Sequence, residues 1–185
     1  MKKLTIIIIM LILFTAVIFA QEDVQMSAAQ QKLYQLGFDI PKAALESVDF
    51  TAPDITGDEV SLSSLKGKLV MLNLWATWCP PCQKEMPSMQ RLSEKMKGKN
   101  FTILAVGTPS PPRETKDKIL SYIKRNKYTF PVLVDESQQV YGIYGSGSIP
   151  TTWLIGPDGI ILARLVGARE WDSDEIIEIF NSIIE

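Results

Sequence analysis

The most reactive side chains in the sequence belong to two cysteines, Cys79 and Cys82, which are separated by two prolines. They are the only cysteines among the 185 residues. An apolar segment, 69–74, precedes them, and a segment with helical character, 83–97, follows them. Two intervening residues correspond to one helical turn, so the two sulfurs can close a small disulfide ring. A Cys-x-x-Cys at such a strand-to-helix junction predicts a redox-active dithiol pair.

The position of each cysteine on the predicted helix indicates a different role. Cys79 is expected at the N-cap, where unpaired backbone N–H groups and the helix dipole favour negative charge. A thiolate is stabilised there, so Cys79 should have a lowered pKa and act as the nucleophile. Pro80 suits the first turn because its missing N–H would have had no partner. Cys82 lies one turn further in and is predicted to be the less exposed, resolving thiol.

Two plainer interpretations of the pair are weak. Half of a zinc site would need further cysteine or histidine ligands, and the chain has no histidine and no second pair. We therefore predict no metal at this site. A purely structural disulfide is disfavoured because so small a ring removes little entropy from the unfolded chain.

The N-terminus predicts export from the cytoplasm. Two lysines precede an almost unbroken apolar run, 4–20, which indicates that residues 1–20 are a signal peptide or an N-terminal membrane anchor. Ala20 suits cleavage, whereas Ile18 is larger than the residue usually found at that position. Seventeen apolar residues lie at the lower edge of what spans a bilayer. Either way the protein is expected to be extracytoplasmic, in the periplasm or on the outer face of the cytoplasmic membrane, where disulfide chemistry operates.

The composition predicts a single domain after this leader. The chain is 46% hydrophobic with a net charge of −2, which leaves no electrostatic footprint for nucleic acid. Residues 21–47 are interpreted as a spacer with a possible short helix around 24–36, either a partner-binding spacer or a helix packed on the domain. Residues 48–185 are predicted to form the domain itself.

Strands and helices alternate along this domain. A hairpin is predicted around a turn at 56–59, and proline-rich sequence around 109–112 is expected to form a loop. The predicted strands are 69–74, 101–107, 130–134, 152–155 and 160–166, and the predicted helices are 83–97, 113–126, 137–144 and a tail helix capped by Asp172 or Ser173. This order predicts an α/β sheet with helices on both faces.

A stripe of apolar residues on the helix after Cys82 has two interpretations. Met86, Met89 and Met96 recur at helical spacing and predict a core-facing surface, since thioethers fill cores readily. The alternative is a copper-binding or metallochaperone module, because thiolates and thioethers suit Cu(I). Pro87 lies within this helix and is expected to kink it.

Glu85 and Pro150 are the other candidate site residues. Glu85 follows Cys82 by three residues and shares its helix face. It is either a solvated first-turn acid that complements the dipole, or a partly buried carboxylate whose raised pKa lets it exchange a proton with Cys82. Pro150 precedes a predicted strand, a position where an ordinary turn proline is common.

These motifs together carry a family resemblance. Trp78-Cys79-Pro80-Pro81-Cys82, with Glu85-Met86-Pro87 and Ile149-Pro150-Thr151, resembles the thioredoxin superfamily and, more narrowly, the exported TlpA/ResA-like thiol–disulfide oxidoreductases. The likeness covers roughly residues 48–185. It implies a thioredoxin-like fold with a central mixed sheet flanked by helices, an N-terminal β-hairpin, and a helix–strand insertion near 109–126.

The resemblance also implies the composition of the site. Ile149–Pro150 corresponds to the family's cis-proline loop, which lies against the cysteine pair. Asn73 stands where thioredoxin has a buried aspartate, so the carboxylate would come from Glu85. The implied catalytic residues are Cys79, Cys82 and Glu85, and the implied substrate contacts are Trp78, Pro80, Ile149 and Pro150.

The predicted function is that of a protein-disulfide reductase that needs no prosthetic group. Its implied partners are a disulfide-bearing extracytoplasmic protein and a membrane-embedded or thioredoxin-like electron donor, with a possible membrane tether by residues 4–20. The rival enzyme is a thiol peroxidase of the peroxiredoxin-like branch. Such enzymes approach the nucleophile with Pro-x-x-x-Thr-x-x-Cys, and the matching positions here are Leu72 and Ala76.

Overall fold

The apolar segment before the cysteines forms the central strand of the molecule. The computed structural model describes residues 26–110 and 112–185, and every residue of this strand is buried. In chain order the elements are α1 (Ala28–Gln35), β1 (Thr51–Pro53), β2 (Glu59–Ser61), β3 (Leu69–Trp75), α2 (Pro80–Lys95), β4 (Phe101–Gly107), α3 (Lys116–Asn126), β5 (Val132–Val134), α4 (Gln139–Tyr144), β6 (Thr151–Ile155), β7 (Ile161–Val166) and α5 (Asp174–Ile184).

The main sheet has five strands in the order β5-β4-β3-β6-β7. β3 runs parallel to β4, and β4 to β5, whereas β6 is antiparallel to both β3 and β7. Because helices cover the sheet, β3 is a continuous hydrophobic run rather than an alternating one. The predicted central mixed sheet flanked by helices is confirmed.

Helix α2 contains the second cysteine, Cys82, in its first turn. Cys79 is its N-cap, and Pro80 and Pro81 occupy its first turn, so the helix begins three residues earlier than the predicted start at 83. The stripe Met86, Met89 and Met96 is 0–1% exposed in the hydrophobic core, which confirms the packing interpretation. The helix continues through Pro87 to Lys95.

Among the described residues of 109–126, where the helix–strand insertion is predicted, the structure has helix α3, and strand β5 follows at Val132–Val134. β5 adds an edge strand beside β4, and the β1–β2 hairpin continues from it through the bridge between Asp54 and Leu133. α3 begins at Lys116, with Thr115 as its cap, rather than at 113. The reason is that Ser110 and Glu114 pair their backbones and close a turn before the helix starts.

The segment before residue 48 packs on the sheet. A capping box between Ser27 and Gln30 starts α1. Leu33 and Phe38 are 0% and 2% exposed, and Asp39 exchanges two backbone hydrogen bonds with Arg164 of β7. The division at residue 48 stays a prediction, but this part of the spacer is a helix packed on the domain, and the core includes residues from Leu33 onward.

The predicted signal peptide or anchor, residues 1–20, lies outside the described residues. Within 26–110 and 112–185, no helix combines the length and the apolar character needed to cross a membrane.

Candidate active site

The two cysteines form a disulfide at the N-terminus of α2. Their Cα atoms are 5.3 Å apart. The sulfur of Cys79 caps the helix by accepting a hydrogen bond from the backbone N–H of Cys82 at 3.3 Å. The predicted N-cap position of Cys79 is therefore confirmed, and the N–H of Cys82 is one of the helix-end amide groups that would stabilise a thiolate there.

Access to the pair is narrow and favours Cys79. Cys79 is 3% exposed and Cys82 is 0% exposed. Pro80 and Pro81 beside them are exposed, and Trp78 is half-buried. An incoming sulfur can therefore reach Cys79 more readily than Cys82, as the assignment of Cys79 as the nucleophile requires.

The Ile149–Pro150 loop lies against the disulfide. The peptide bond between these residues is cis. The carbonyl oxygen of Ile149 is 3.7 Å from the sulfur of Cys79. Pro150 is buried, and its carbonyl accepts a hydrogen bond of 2.9 Å from the N–H of Gly167. The loop and the cysteines are thus brought together as the resemblance implied.

Glu85 is a buried carboxylate rather than a solvated one. It is 1% exposed. Oε2 accepts hydrogen bonds from Nε1 of Trp171 at 3.0 Å and from the N–H of Arg169 at 3.2 Å, and Oε1 accepts one from Nδ2 of Asn73 at 2.9 Å. Burial raises the pKa of Glu85 from 4.5 to about 7, although the hydrogen bonds from Trp171, Asn73 and Arg169 oppose the rise. The side chain can therefore gain or lose a proton near neutral pH.

Asn73 links Glu85 to the sheet. Its Nδ2 donates to Glu85 Oε1 and to Thr152 Oγ1, both at 2.9 Å. Its Oδ1 is buried and has no hydrogen-bond partner among the described residues. An amide can rotate to exchange its donor and acceptor ends. Rotation would place Oδ1 where it could accept a hydrogen bond from a protonated Glu85.

The N-terminal segment packs behind two of the donors to Glu85. The ring of Phe38 meets the ring of Trp171 edge-on, with 6.0 Å between centroids. Nη1 of Arg169 donates to the carbonyl of Leu36 at 2.7 Å. Residues 36–38 therefore help to hold the loop that supplies both Arg169 and Trp171.

A second buried carboxylate, Glu114, contacts the turn that leads into Cys79. It is 0% exposed, and it accepts hydrogen bonds from the N–H of Thr77 at 2.7 Å and from Oγ1 of Thr77 at 2.9 Å. The guanidinium carbon of Arg113 lies 3.5 Å from the centroid of the Trp78 ring. The loop before α3 thus contacts the two residues that immediately precede Cys79.

Comparison with known proteins agrees with this geometry. The model of the AhpC/TSA family matches residues 44–164. A protein named thiol-disulfide oxidoreductase ResA, from Bacillus anthracis, is 37% identical over 163 residues, covering 88% of this chain and 87% of its own. The chain belongs to the AhpC/TSA family.

A further relative of this AhpC/TSA-family protein is also named ResA, and two solved structures share its fold. The ResA of Oceanobacillus iheyensis is 38% identical over 164 residues, covering 89% of this chain and 81% of its own. The crystal structure of StoA from Bacillus subtilis superposes with a TM-score of 0.59 at 28% identity, covering 66% of this chain and 90% of that one. The exposed lipoprotein thioredoxin Etrx1 of Streptococcus pneumoniae gives 0.63 at 28% identity, covering 73% and 99%. These matches confirm the thioredoxin-like fold and the resemblance to ResA-type oxidoreductases.

Several residues of the site in this family member were not identified from the sequence. Trp171, Arg169 and Glu114 contact the site from 37 to 86 residues away along the chain. The only signal for Trp171 was a lone indole in a charged stretch. Glu114 gave no signal, since an acid at the start of a polar helix is ordinarily solvated.

The only candidate metal ligands at this site, among the described residues, are the two cysteine sulfurs. Within the part of the chain that the structure describes, no three side chains of Cys, His, Asp or Glu are grouped to hold an ion. Met86 and Met89 are fully buried in the hydrophobic core. The arrangement therefore favours sulfur exchange over copper binding.

Proposed function

We propose that this protein reduces disulfide bonds of extracytoplasmic proteins through the Cys79/Cys82 dithiol. The observation that carries the proposal is the placement of the Cys79 sulfur. It caps a helix and lies 3.7 Å from the carbonyl of Ile149, beside a cis-proline. A helix N-terminus stabilises the thiolate that must attack, and an exposed loop backbone can align the chain being attacked.

The first step joins enzyme and substrate. The thiolate of reduced Cys79 attacks one sulfur of a substrate disulfide, an S–S bond forms between them, and the other substrate sulfur leaves as a thiolate. Ile149 is half-buried next to the reacting sulfur, and its backbone is available to pair with an extended substrate segment. Trp78 and Pro80 flank the same opening and are the proposed side-chain contacts.

The second step releases the substrate. Cys82 gives its proton to ionised Glu85 and attacks the sulfur of Cys79, so the second substrate sulfur leaves. Two electrons have then passed from the dithiol to the substrate, and the enzyme is left as the disulfide seen in the structure. A cavity of about 190 Å³ is lined by Lys84, Glu85, Ala168, Arg169 and Glu170, and it is the route that we propose for the transferred proton.

Turnover requires a second partner. The enzyme disulfide must be reduced again by a thiol donor, either embedded in the membrane or thioredoxin-like. No prosthetic group is needed, because the reduced dithiol itself carries both electrons that pass to the substrate. A tether formed by residues 4–20 would hold the domain near a membrane-embedded donor.

The direction of the reaction depends on the potential of the pair. Couples of this superfamily run from about −270 mV for thioredoxin to about −120 mV for the oxidant DsbA. This range corresponds to about 7 kcal/mol, because 30 mV is about 1.4 kcal/mol for two electrons. We expect a value toward the reducing end, and a value near that of DsbA would contradict a reductase.

Trapping of mixed disulfides tests the proposal. Replacing Cys82 by serine removes the resolving thiol, so Cys82→Ser is expected to accumulate covalent complexes with exported proteins that have paired cysteines. Cys79→Ser is the matched control and should trap none. Capture by Cys79→Ser instead, or fast oxidation of Cys79 by hydrogen peroxide without protein exchange, would overturn the assignment.

A further inference from the structure

The loop between β4 and α3 reaches from the insertion to the redox site. Ser110 and Glu114 close it with two backbone hydrogen bonds of 3.0 and 3.1 Å. The closed turn points the side chain of Glu114 inward, where it is 0% exposed. An acid next to a surface arginine on a proline-rich loop would ordinarily face solvent, so its burial needs a reason.

Thr77 supplies that reason. Its N–H and Oγ1 both donate to the carboxylate of Glu114, and its carbonyl accepts a hydrogen bond from Nε2 of Gln83 on α2. All the backbone and side-chain polar groups of Thr77 are therefore engaged. Two residues later the chain reaches Cys79, whose N–H closes the same turn on the carbonyl of Ala76 at 3.2 Å.

We propose that Glu114 is a positioning residue of the redox site, which fixes the turn that carries Cys79 and opposes the build-up of negative charge on its sulfur. This inference rests on the proposed function. In its hydrogen bonds with Thr77, Glu114 acts only as an acceptor, which is the pattern that an ionised carboxylate shows. Among residues 26–110 and 112–185, no lysine or arginine nitrogen lies within 4 Å of it. Like charges close together disfavour each other, so Glu114 counteracts the stabilisation that the helix gives to the thiolate.

The consequence is a more reducing enzyme. DsbA is a strong oxidant because its reduced form is stabilised, and a fixed negative charge near the nucleophile has the opposite effect. Other charged groups lie near Glu114 and the pair. Nζ of Lys118 on α3 donates to the carbonyls of Pro112 and Arg113, on the exposed side of the loop. Arg113 lies over Trp78 on the exposed side, where salt screens it, and Glu85 is on α2 behind Cys82. Glu114 is buried, so its influence should persist in salt.

The test is Glu114→Gln, a neutral side chain of the same size. Its carbonyl oxygen can still accept from the N–H of Thr77, and its amide can donate to Oγ1. We expect the acid dissociation constant of Cys79 to increase by at least threefold, measured as thiolate absorbance against pH. The equilibrium constant for reduction by glutathione should rise threefold to tenfold, and tenfold corresponds to about 30 mV.

The matched control is Asp135→Asn. Asp135 is another fully buried carboxylate, but it accepts from the N–H of Tyr141 at 2.9 Å rather than from the active-site turn. Its replacement should lower stability and leave the Cys79 titration and the potential within twofold of wild type. If Glu114→Gln behaves like this control, with a lower melting temperature but unchanged titration and potential, Glu114 is only structural and the proposal is wrong.

Thr77→Val keeps the proposal testable if Glu114→Gln does not fold. This change leaves the charge of Glu114 in place but removes one of its donors, so the charge is less compensated. The acid dissociation constant of Cys79 should then move in the opposite direction and decrease by up to about threefold, whereas an unchanged or increased constant would contradict the proposal. Failure of the proposed function is distinct, because it would appear as wild-type protein that does not reduce protein disulfides.

Discussion

Two buried carboxylates close in the fold to the redox pair are held in different ways. Glu85 is 1% exposed and receives hydrogen bonds from Asn73 on β3 and from Arg169 and Trp171 on the loop before α5. Glu114 is 0% exposed and is bound through its carboxylate to one residue, Thr77. The first follows Cys82 on the same helix, whereas the second holds the turn that leads into Cys79.

The difference teaches that burial alone does not decide what an acid does. The donors of Glu85 come from distant elements and do not fully offset desolvation, so its pKa rises to about 7 and its protonation can change during turnover. Glu114 accepts hydrogen bonds from the N–H and the hydroxyl of a single residue, Thr77. These bonds fix the position of the turn and hold the carboxylate beside it. We therefore expect loss of Glu85 to affect proton transfer at Cys82, and loss of Glu114 to affect the energy of the Cys79 thiolate.

The largest effect should come from Glu85→Gln on the second chemical step. General acid–base catalysis contributes about 10²–10⁴-fold, so we expect release of the mixed disulfide to slow by roughly 100-fold to 1,000-fold at neutral pH. The wild-type rate of this step should rise with pH around a midpoint near 7, because ionised Glu85 is the base. The midpoint should be absent from the variant. Rapid-mixing measurements that resolve capture from release would check this.

Capture by Cys79 is the internal control for that measurement. Glu85→Gln should leave the rate of the first step within about threefold, since the proposed base acts on Cys82. Glu114→Gln should show the reverse pattern, with a changed first step and an intact pH midpoint in the second. Identical patterns for the two variants would remove the distinction between the carboxylates.

Ionisation of Glu85 should also lower the free energy of unfolding, by about 3 kcal/mol. Its pKa is raised in the folded protein from 4.5 to about 7. Between these values the folded state keeps a proton that the unfolded state has lost, so the free energy of unfolding falls as pH rises, and the loss is complete above about 7. One pKa unit corresponds to 1.36 kcal/mol. As the pH is raised from 4.5 to 8, the free energy of unfolding of Glu85→Gln should therefore increase by about 3 kcal/mol relative to that of wild type.

Urea unfolding of the oxidised proteins at several pH values would measure this gain. Glu170→Gln is the control, because the side chain of Glu170 is 64% exposed and its replacement should leave the pH dependence nearly unchanged. A Glu85→Gln curve parallel to that of wild type would mean that Glu85 is ionised throughout this range. The orphaned Oδ1 of Asn73 should help the variant to fold, since it can accept from the new amide after rotation.

Trp171→Phe should produce a smaller, directional change. The Nε1–H of Trp171 lowers the pKa of Glu85, so its removal should move the pH midpoint of the release step upward by about one unit. That size follows from roughly 1.5 kcal/mol for a hydrogen bond to a charged group. Trp153→Phe is the matched control, because Nε1 of Trp153 donates to the carbonyl of Tyr144 instead. A midpoint that stays the same or moves downward in Trp171→Phe would show that this indole does not tune Glu85.

The sequence predicted the parts of the site that local rules govern. The N-cap position of Cys79 followed from a strand, a proline and a helix in succession. The cis-proline was implied only by the family resemblance of Ile149-Pro150-Thr151, because a proline before a strand is otherwise an ordinary turn proline. Glu85 could be assigned only with the family resemblance, because its spacing to Cys82 suits a solvated acid equally well. The alternation of strands and helices likewise predicted the sheet, while the helix starts were displaced by up to three residues.

The rest could not be predicted because it depends on which distant residues meet. Burial of Glu114 requires the donors of Thr77, which are 37 residues earlier in the chain. Nothing in the local sequence distinguishes it from Glu136, which follows a strand and is exposed. The sequence predicted a possible short helix around 24–36 but not what it would contact, because the partners of Leu33 and Phe38 on β7, α5 and the loop before α5 come more than a hundred residues later.

The smallest expected effect belongs to Arg113, the exposed neighbour of Glu114. Its guanidinium lies over Trp78 at 3.5 Å, and an exposed cation–π contact is worth about 0.5–1 kcal/mol. Arg113→Ala should therefore lower the free energy of unfolding by no more than about 1 kcal/mol and slow capture by at most about threefold in low salt. The effect of Arg113→Ala on the rate of capture should vanish in 0.5 M salt, where the screening length is on the order of 4 Å. The effect of Glu114→Gln should remain in the same salt, because that side chain is buried. Arg125→Ala, which removes a similar contact with Tyr122 away from the cysteines, controls for the loss of packing. An Arg113 effect that persists in salt would mean that the exposed cation, rather than the buried acid, sets the charge balance at Cys79.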